Sequence, residues 1–296
     1  GDRLININDG KSLDEITLSI RNDYVDWIYS LNSSFVKGGL IKDGISLFFL
    51  SDLSNKRSEL FDTYESLANI LLIKQKLSGI EIDVFELIGL DRAFSRAIKS
   101  LYPKAIIKCS RARPSRISVG RRLMADAKYF IEIMLVVVIN WCMPNKYVKN
   151  TSESEKYYFS YYPQTFNSDL TDIRYGEHVG EKDNNLITII ADGMHQQVSP
   201  IAYFQYARKL PNRGFLLVDR YLRFIDVLVG FLWLCRCYRF LYSQRYGTYE
   251  FLHVDITGFI KQELIQSISR IARLVLLSGA FKKAIKNSNM RELVYI

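Results

Sequence analysis

Three aspartates stand where an apolar run gives way to a turn and a helix: Asp52 in Ser46-Leu-Phe-Phe-Leu-Ser-Asp52, Asp192 in Ala191-Asp-Gly-Met-His195, and Asp255 in His253-Val-Asp-Ile-Thr-Gly258. A carboxylate held at such a junction can take a proton from a bound hydroxyl, and an imidazole three residues on, as at His195, can act as its partner. A plainer reading stands beside this one. Asp52, Asp91 and Thr257 suit helix caps, which alone stabilise a helix by about 1 kcal/mol, and Asp-Gly after a strand is an ordinary turn composition.

Phosphate or anionic-surface binding is the second chemistry on offer. Nine basic residues fall between Lys99 and Lys128 against the single acid Asp126. Lys108, Arg111, Arg113, Arg116, Arg121 and Arg122 form the densest part of that run, and guanidinium groups match phosphate geometry. A solvated face normally mixes signs, so this stretch points to anion contact as readily as to a merely cationic surface. From Gln205 to Arg245 eight basic residues oppose Asp219 and Asp226, with Arg220, Arg223, Arg236 and Arg239 interleaved among aromatic residues. That pattern suits a helix lying on lipid headgroups or a single-stranded nucleic acid, and equally a core helix with arginines along one edge.

The elements that would position these groups alternate. Ser12-Leu-Asp-Glu15 reads as a capping box opening a helix with Ile16, Ile20, Tyr24, Trp27, Ile28 and Leu31 on one side. Strands are predicted over 45–50, 80–88, 105–109, 157–162, 186–191, 214–218 and 250–255. Helices are predicted over about 60–71, 91–102, 118–142, 199–210, 221–245 and from Thr257 onward. Such alternation with continuously apolar strands predicts an α/β fold, a mostly parallel sheet with helices on both faces. Ligands in such sheets lie beyond the carboxyl ends of the strands, so Asp52, Asp192, Asp255 and the basic turn after residue 109 are expected along one rim. The second half of the 118–142 helix is apolar nearly all round, which calls for burial or a membrane surface.

The chain has 296 residues, 48% of them hydrophobic, with a net charge of +9. That composition supports a sizeable core and excludes global disorder. Cys109, Cys142, Cys235 and Cys237 are unpaired in any CxxC pattern and read as packed, reduced thiols. His178, His195 and His253 are scattered, so no metal site and no cofactor are expected. No GxxxxGK[ST], GxGxxG, HExxH or GxSxG motif is present. The start of the chain does not read as a secretion signal, and the longest uncharged stretches fall short of the roughly 18 residues a membrane span needs. The expectation is a cytoplasmic protein, peripheral at most on the inner face of the cell membrane. Leu293-Val-Tyr-Ile296 reads as a strand with nothing after it, and the chain is therefore expected to be the first part of a larger protein.

Four segments together resemble a family of bacterial surface-carbohydrate biosynthesis proteins, B-type glycosyltransferases of O-antigen or capsule assembly. They are the Trp27 helix leading to Ser46–Asp52 with Lys56 and Ser58, the strand Tyr158-Phe-Ser-Tyr-Tyr-Pro163 with its acidic loop, the turn His253–Gly258, and the closing strand Leu293–Ile296. The resemblance implies that residues 1–296 are a single Rossmann-like, acceptor-side domain, with the nucleotide sugar held by a second domain beyond Ile296. It further implies a lipid-linked glycan acceptor, with Asp52, Asp192 or Asp255 as base and Arg111, Arg113 and Arg116 meeting the acceptor diphosphate or an anionic membrane. The alternative from another class is a non-catalytic module docking on membrane or nucleic acid through the same basic segments, with nucleic acid the less favoured.

Overall fold

The computed structural model describes residues 10–54, 63–111, 118–143, 156–162, 166–167, 172–174, 186–190, 199–209, 215–288, 290 and 292–294. The protein is a mixed α/β chain whose longer strands all pair in parallel. It divides into two compact units, Gly1–Arg122 with Arg236–Ile271, and Leu123–Cys235 with Ala272–Ile296.

In the first unit, α1 (Gly10–Ser30) and α3 (Thr63–Lys76) flank the start of α8 (Thr257–Asn287). The helical period places Ile20, Tyr24, Ile28 and Leu31 of α1 in the core, as expected. Gly10 and Lys11 are already helical, so Ser12 lies inside α1 and not at the expected cap. Next comes α2 (Asn32–Lys37), then β1 (Ile41–Lys42) and β2 (Ile45–Ser46), an antiparallel pair around Asp43-Gly44, both at positive φ.

This overturns the expected strand over 45–50. Asp43-Gly44 supplies the left-handed pair that a two-residue hairpin needs, and the hairpin leaves Ile45 exposed. Ser46 then accepts the Phe48 N–H at 3.3 Å and caps a 3₁₀ turn over Leu47–Leu50. Leu47 and Phe48 are buried by that turn, and Phe48 packs on Phe35 with ring centroids 5.5 Å apart.

The β3–α4–β4 segment follows the expected pattern. Strands β3 (Val84–Ile88) and β4 (Ile106–Ser110) pair in parallel, joined by α4 (Arg92–Leu101). Asp91 caps α4, accepting the Phe94 N–H at 2.9 Å. Ala93, Phe94, Ala97 and Ile98 form its buried stripe. The expected strand 250–255 is instead a hairpin, β8 (Glu250–Phe251) and β9 (Val254–Asp255), because Leu252 and His253 both adopt positive φ, 48° and 66°.

The second unit holds a four-stranded parallel sheet of β5 (Lys156–Tyr162), β6 (Leu186–Ile190), β7 (Phe215–Leu217) and β10 (Glu292–Val294). Its order is β10-β5-β6-β7, so the chain first winds one way from β5 and later returns to its other edge. Helix α6 (Pro200–Lys209) joins β6 to β7; α5 (Val119–Cys142), α7 (Phe224–Ser243) and α8 supply further helix to this unit. Asn140 of α5 links two of these elements, accepting the Tyr203 hydroxyl at 2.6 Å and donating to the Asp219 carbonyl at 2.8 Å. Gly230 of α7 lets α8 close in, since a Cβ there would lie 2.8 Å from the Leu276 Cβ.

One further expectation is corrected. Of the four cysteines only Cys237 is buried; Cys109, Cys142 and Cys235 are exposed. Among the described residues, α8 is long and apolar enough to cross a membrane by length and composition, with a window of mean hydropathy 1.3. Over half of that window (56%) is buried inside the protein, the setting of a core helix.

Candidate functional site

The outer face of α4 carries Arg92, Ser95, Arg96 and Lys99, at the i, i+3, i+4 and i+7 positions that share one side of a helix. With Ile106 and Ile107 of β4 and Asp255 at the end of β9, these residues line a cleft of about 720 Å³. Seven residues of helix rise about 10 Å, so the three cations form a row rather than a point. Among the described residues no carboxylate is ion-paired with Arg92 or Arg96. Lys99 is partly engaged, donating to the Ala105 carbonyl at 2.7 Å.

Asp255 is brought to α4 by its backbone. Its N–H donates to the Ser100 hydroxyl at 3.1 Å, and its Oδ1 accepts the Thr257 N–H at 2.9 Å. The expected cap is thus supplied by Asp255, while the Thr257 hydroxyl accepts from Tyr249 N–H at 2.8 Å and ties the hairpin to α8. Lys261, one turn into α8, stands nearby. Burial first, then the Arg96 guanidinium, lower its pKa, and Asp255 acts in the opposite direction. Cations crowded beside one half-buried carboxylate make a site whose electrostatics favour an added anion.

The other expected site residues do not converge on this cleft. Asp52 is buried, with its carboxylate ion-paired to Arg270 and its N–H donating to Ser267 at 3.0 Å. It follows a 3₁₀ turn and not a sheet strand, so the expectation of a common rim for the carboxylates fails at Asp52. Asp192 and His195 lie outside the described residues, as do Arg113 and Arg116. Lys108 is exposed on β4; Arg111 follows it with φ 51°. Arg121 is exposed in the first turn of α5, which Ser118 opens by accepting the Arg121 N–H at 3.2 Å. Arg122 turns inward and donates to the Ser269 hydroxyl.

The second unit has its own buried polar cluster, beside β5. Ser160 and Asp172 are buried, the Ser160 hydroxyl donating to the Asp172 carboxylate. Arg174 Nη2 reaches the Phe159 carbonyl at 3.1 Å and Ser160 Oγ at 2.9 Å, and its backbone N–H donates to Asp172 Oδ1 at 2.8 Å. So many donors satisfy Asp172 that its work is to fasten the acidic loop to the strand. Glu263 in α8 is another buried acid. Burial raises its pKa to about 7; the Thr63 hydroxyl hydrogen bond opposes the rise and the Asp52 charge adds to it.

Arg92 and Arg96 escape a reading of charge along the chain, because they precede the dense run. The helical period, which stacks them with Lys99, is the signal that finds them. Compared with known proteins, the chain matches no family model, no curated protein and no solved structure.

Proposed function

We propose that this chain is the acceptor-side, Rossmann-like domain of a glycosyltransferase in bacterial surface-polysaccharide assembly. The observation that carries the reading is the cleft in which Asp255 faces a row of cations on α4. Its cations suit the diphosphate of a lipid-linked acceptor, and Asp255 Oδ2 is left to take the proton of the sugar hydroxyl as that oxygen bonds the donor's anomeric carbon and the anomeric C–O bond breaks, releasing the nucleoside diphosphate. The strand order supports the fold part of this reading. Taken from β7, the sequence of strands is third, second, first, fourth, the order in which doubly wound nucleotide-binding sheets begin.

A rival reading draws on the hydrogen bond from Thr257 N–H to Asp255 Oδ1, which is what a helix-capping carboxylate makes. On that reading the cleft binds anions without catalysis. One experiment on the intact protein separates the two: transfer of labelled sugar from a panel of nucleotide sugars to polyprenyl-diphosphate acceptors, in wild type and Asp255→Asn. Loss of a general base costs on the order of 10²–10⁴ in kcat, with thermal stability nearly kept. An unchanged kcat in Asp255→Asn would leave only the binding module.

A further inference from the structure

We infer that the outward sides of α5 and α7 in the second unit form the contact through which two copies of this chain associate. Near the end of α5, Asn140 donates to the Asp219 carbonyl just ahead of α7, and earlier in α5 Phe130 packs on Phe231 with ring centroids 5.8 Å apart. The two helices therefore run antiparallel. Helix α8 lies behind both, since Asp126 pairs with Arg273, Asp226 with Lys283, and Gly230 of α7 closes on Leu276. Their other side is open. On α5, Met124, Ile131 and Val138 stand exposed at every seventh position, as do Met134 and Trp141 beside them, Trp141 at 82%. The same repeat on α7 exposes Phe224 with Phe231, Ile225 with Leu232, and Leu228 with Cys235. From Met124 to Trp141 the open side runs about 25 Å along the helix. An isolated chain rarely leaves so continuous an apolar face in water, so it calls for an occupant.

Spacing, charge and area select that occupant. A seven-residue repeat is what keeps an apolar seam facing another helix, and acyl chains, which have no register, require none. Between Leu123 and Trp141 and between Phe224 and Cys235 the one exposed charge is Lys128, and Glu132 of the same helix pairs with it. The face thus carries no net charge to repel a copy of itself. At the exposed fractions of its side chains it leaves roughly 1,000 Å² of apolar surface open, against the ~800 Å² per partner of a standard stable interface. Two antiparallel helices covered on one side only are half of a four-helix bundle, and the same half from a second copy, related by a two-fold axis, completes it. The inference stands independently of sugar transfer.

The test is sedimentation equilibrium of the full chain without detergent, for wild type and for Ile131→Glu combined with Leu228→Glu. A dimer is expected in the wild type, and the double variant should weaken it at least about a hundredfold, because each association would bury carboxylates in an apolar seam. Both positions are exposed in the single copy, so the urea midpoint should stay near that of the wild type. Wild-type cysteines give a second readout that needs no variant. Cys142 and Cys235 are exposed on this face and Cys109 lies in the other unit, so alkylation followed by peptide mass spectrometry should slow at least about fivefold at the first two on association and not at Cys109. Four results would overturn the inference: a wild type still monomeric at about 100 μM, a dimer that the folded double variant keeps, association that leaves Cys142 and Cys235 as reactive as before, or a monomer that floats with phosphatidylcholine vesicles. The last would assign the face to a bilayer.

Discussion

Gly258 meets Ala93 at a distance no side chain tolerates: a Cβ on residue 258 would lie 2.6 Å from the Ala93 Cβ and 2.8 Å from its Cα. This approach sets the start of α8, and Asp255 with it, against the helix that carries Arg92, Arg96 and Lys99. In a helix the exchange of Gly for Ala normally stabilises by up to about 1 kcal/mol. Gly258→Ala is expected to do the reverse, lowering stability by about 2 kcal/mol because backbone atoms of α4 must give way. Chemical denaturation measures the sign. A stabilised Gly258→Ala would mean that α4 and the Asp255 turn are not held together.

The Asp52 pair with Arg270 gives a second expectation. Both groups are largely withdrawn from water, with side chains 6% and 16% exposed. Removing one partner leaves the other charge without compensation, so Asp52→Asn should cost about 3 kcal/mol. Turnover per folded molecule should be unchanged in the intact protein, as Asp52 lies away from the cleft. A variant with wild-type stability and abolished transfer would return Asp52 to the catalytic candidates.

Local chemistry made parts of this architecture readable from sequence. Asp91 as a cap, Pro103 as a stop and the stripe Ala93-Phe94-Ala97-Ile98 specify α4 without help from the rest of the chain. Lys42-Asp-Gly-Ile45 carried a hairpin signal that an apolar run beginning at Ile45 obscured. The second hairpin had no such signal, because its turn residues, Leu252 and His253, are not the Asn-Gly or Asp-Gly pair that marks a two-residue hairpin, yet both take positive φ. Asp52 with Arg270 is a pairing across 218 positions, beyond any local pattern. Arg92, Arg96, Lys99 and Asp255 share a cleft only once α4 and the β8–β9 hairpin have folded together.

Left-handed backbone at Leu252 and His253 carries a cost that substitution can remove. A residue with a Cβ in that region loses about 1–2 kcal/mol, and Asn-Gly is the pair best suited to a two-residue hairpin turn. Leu252→Asn with His253→Gly should therefore raise stability by about 1 kcal/mol, read as a higher midpoint in urea. Leu252 is 43% exposed, so little packing is forfeited. A lower midpoint would show that the leucine contributes more by contact than it costs in conformation.

Glu263 should make stability fall with rising pH over a defined window. Its pKa in the fold is about 7, raised by burial from the ordinary 4.5, while in the unfolded chain it keeps the ordinary value. Below pH 4.5 the carboxyl is protonated in both states and contributes no pH dependence. Between pH 4.5 and 7 the folded form holds a proton that the unfolded form has lost, so stability declines as pH rises, and above 7 the full penalty is present. A difference of that size corresponds to roughly 3 kcal/mol. Glu263→Gln keeps the hydrogen-bonding shape toward Thr63 and cannot ionise. Urea midpoints of wild type and Glu263→Gln should nearly coincide at pH 4.5 and diverge toward pH 8, with the variant the more stable there. Parallel curves across the range would mean that Glu263 is hydrated and ionised in the native protein.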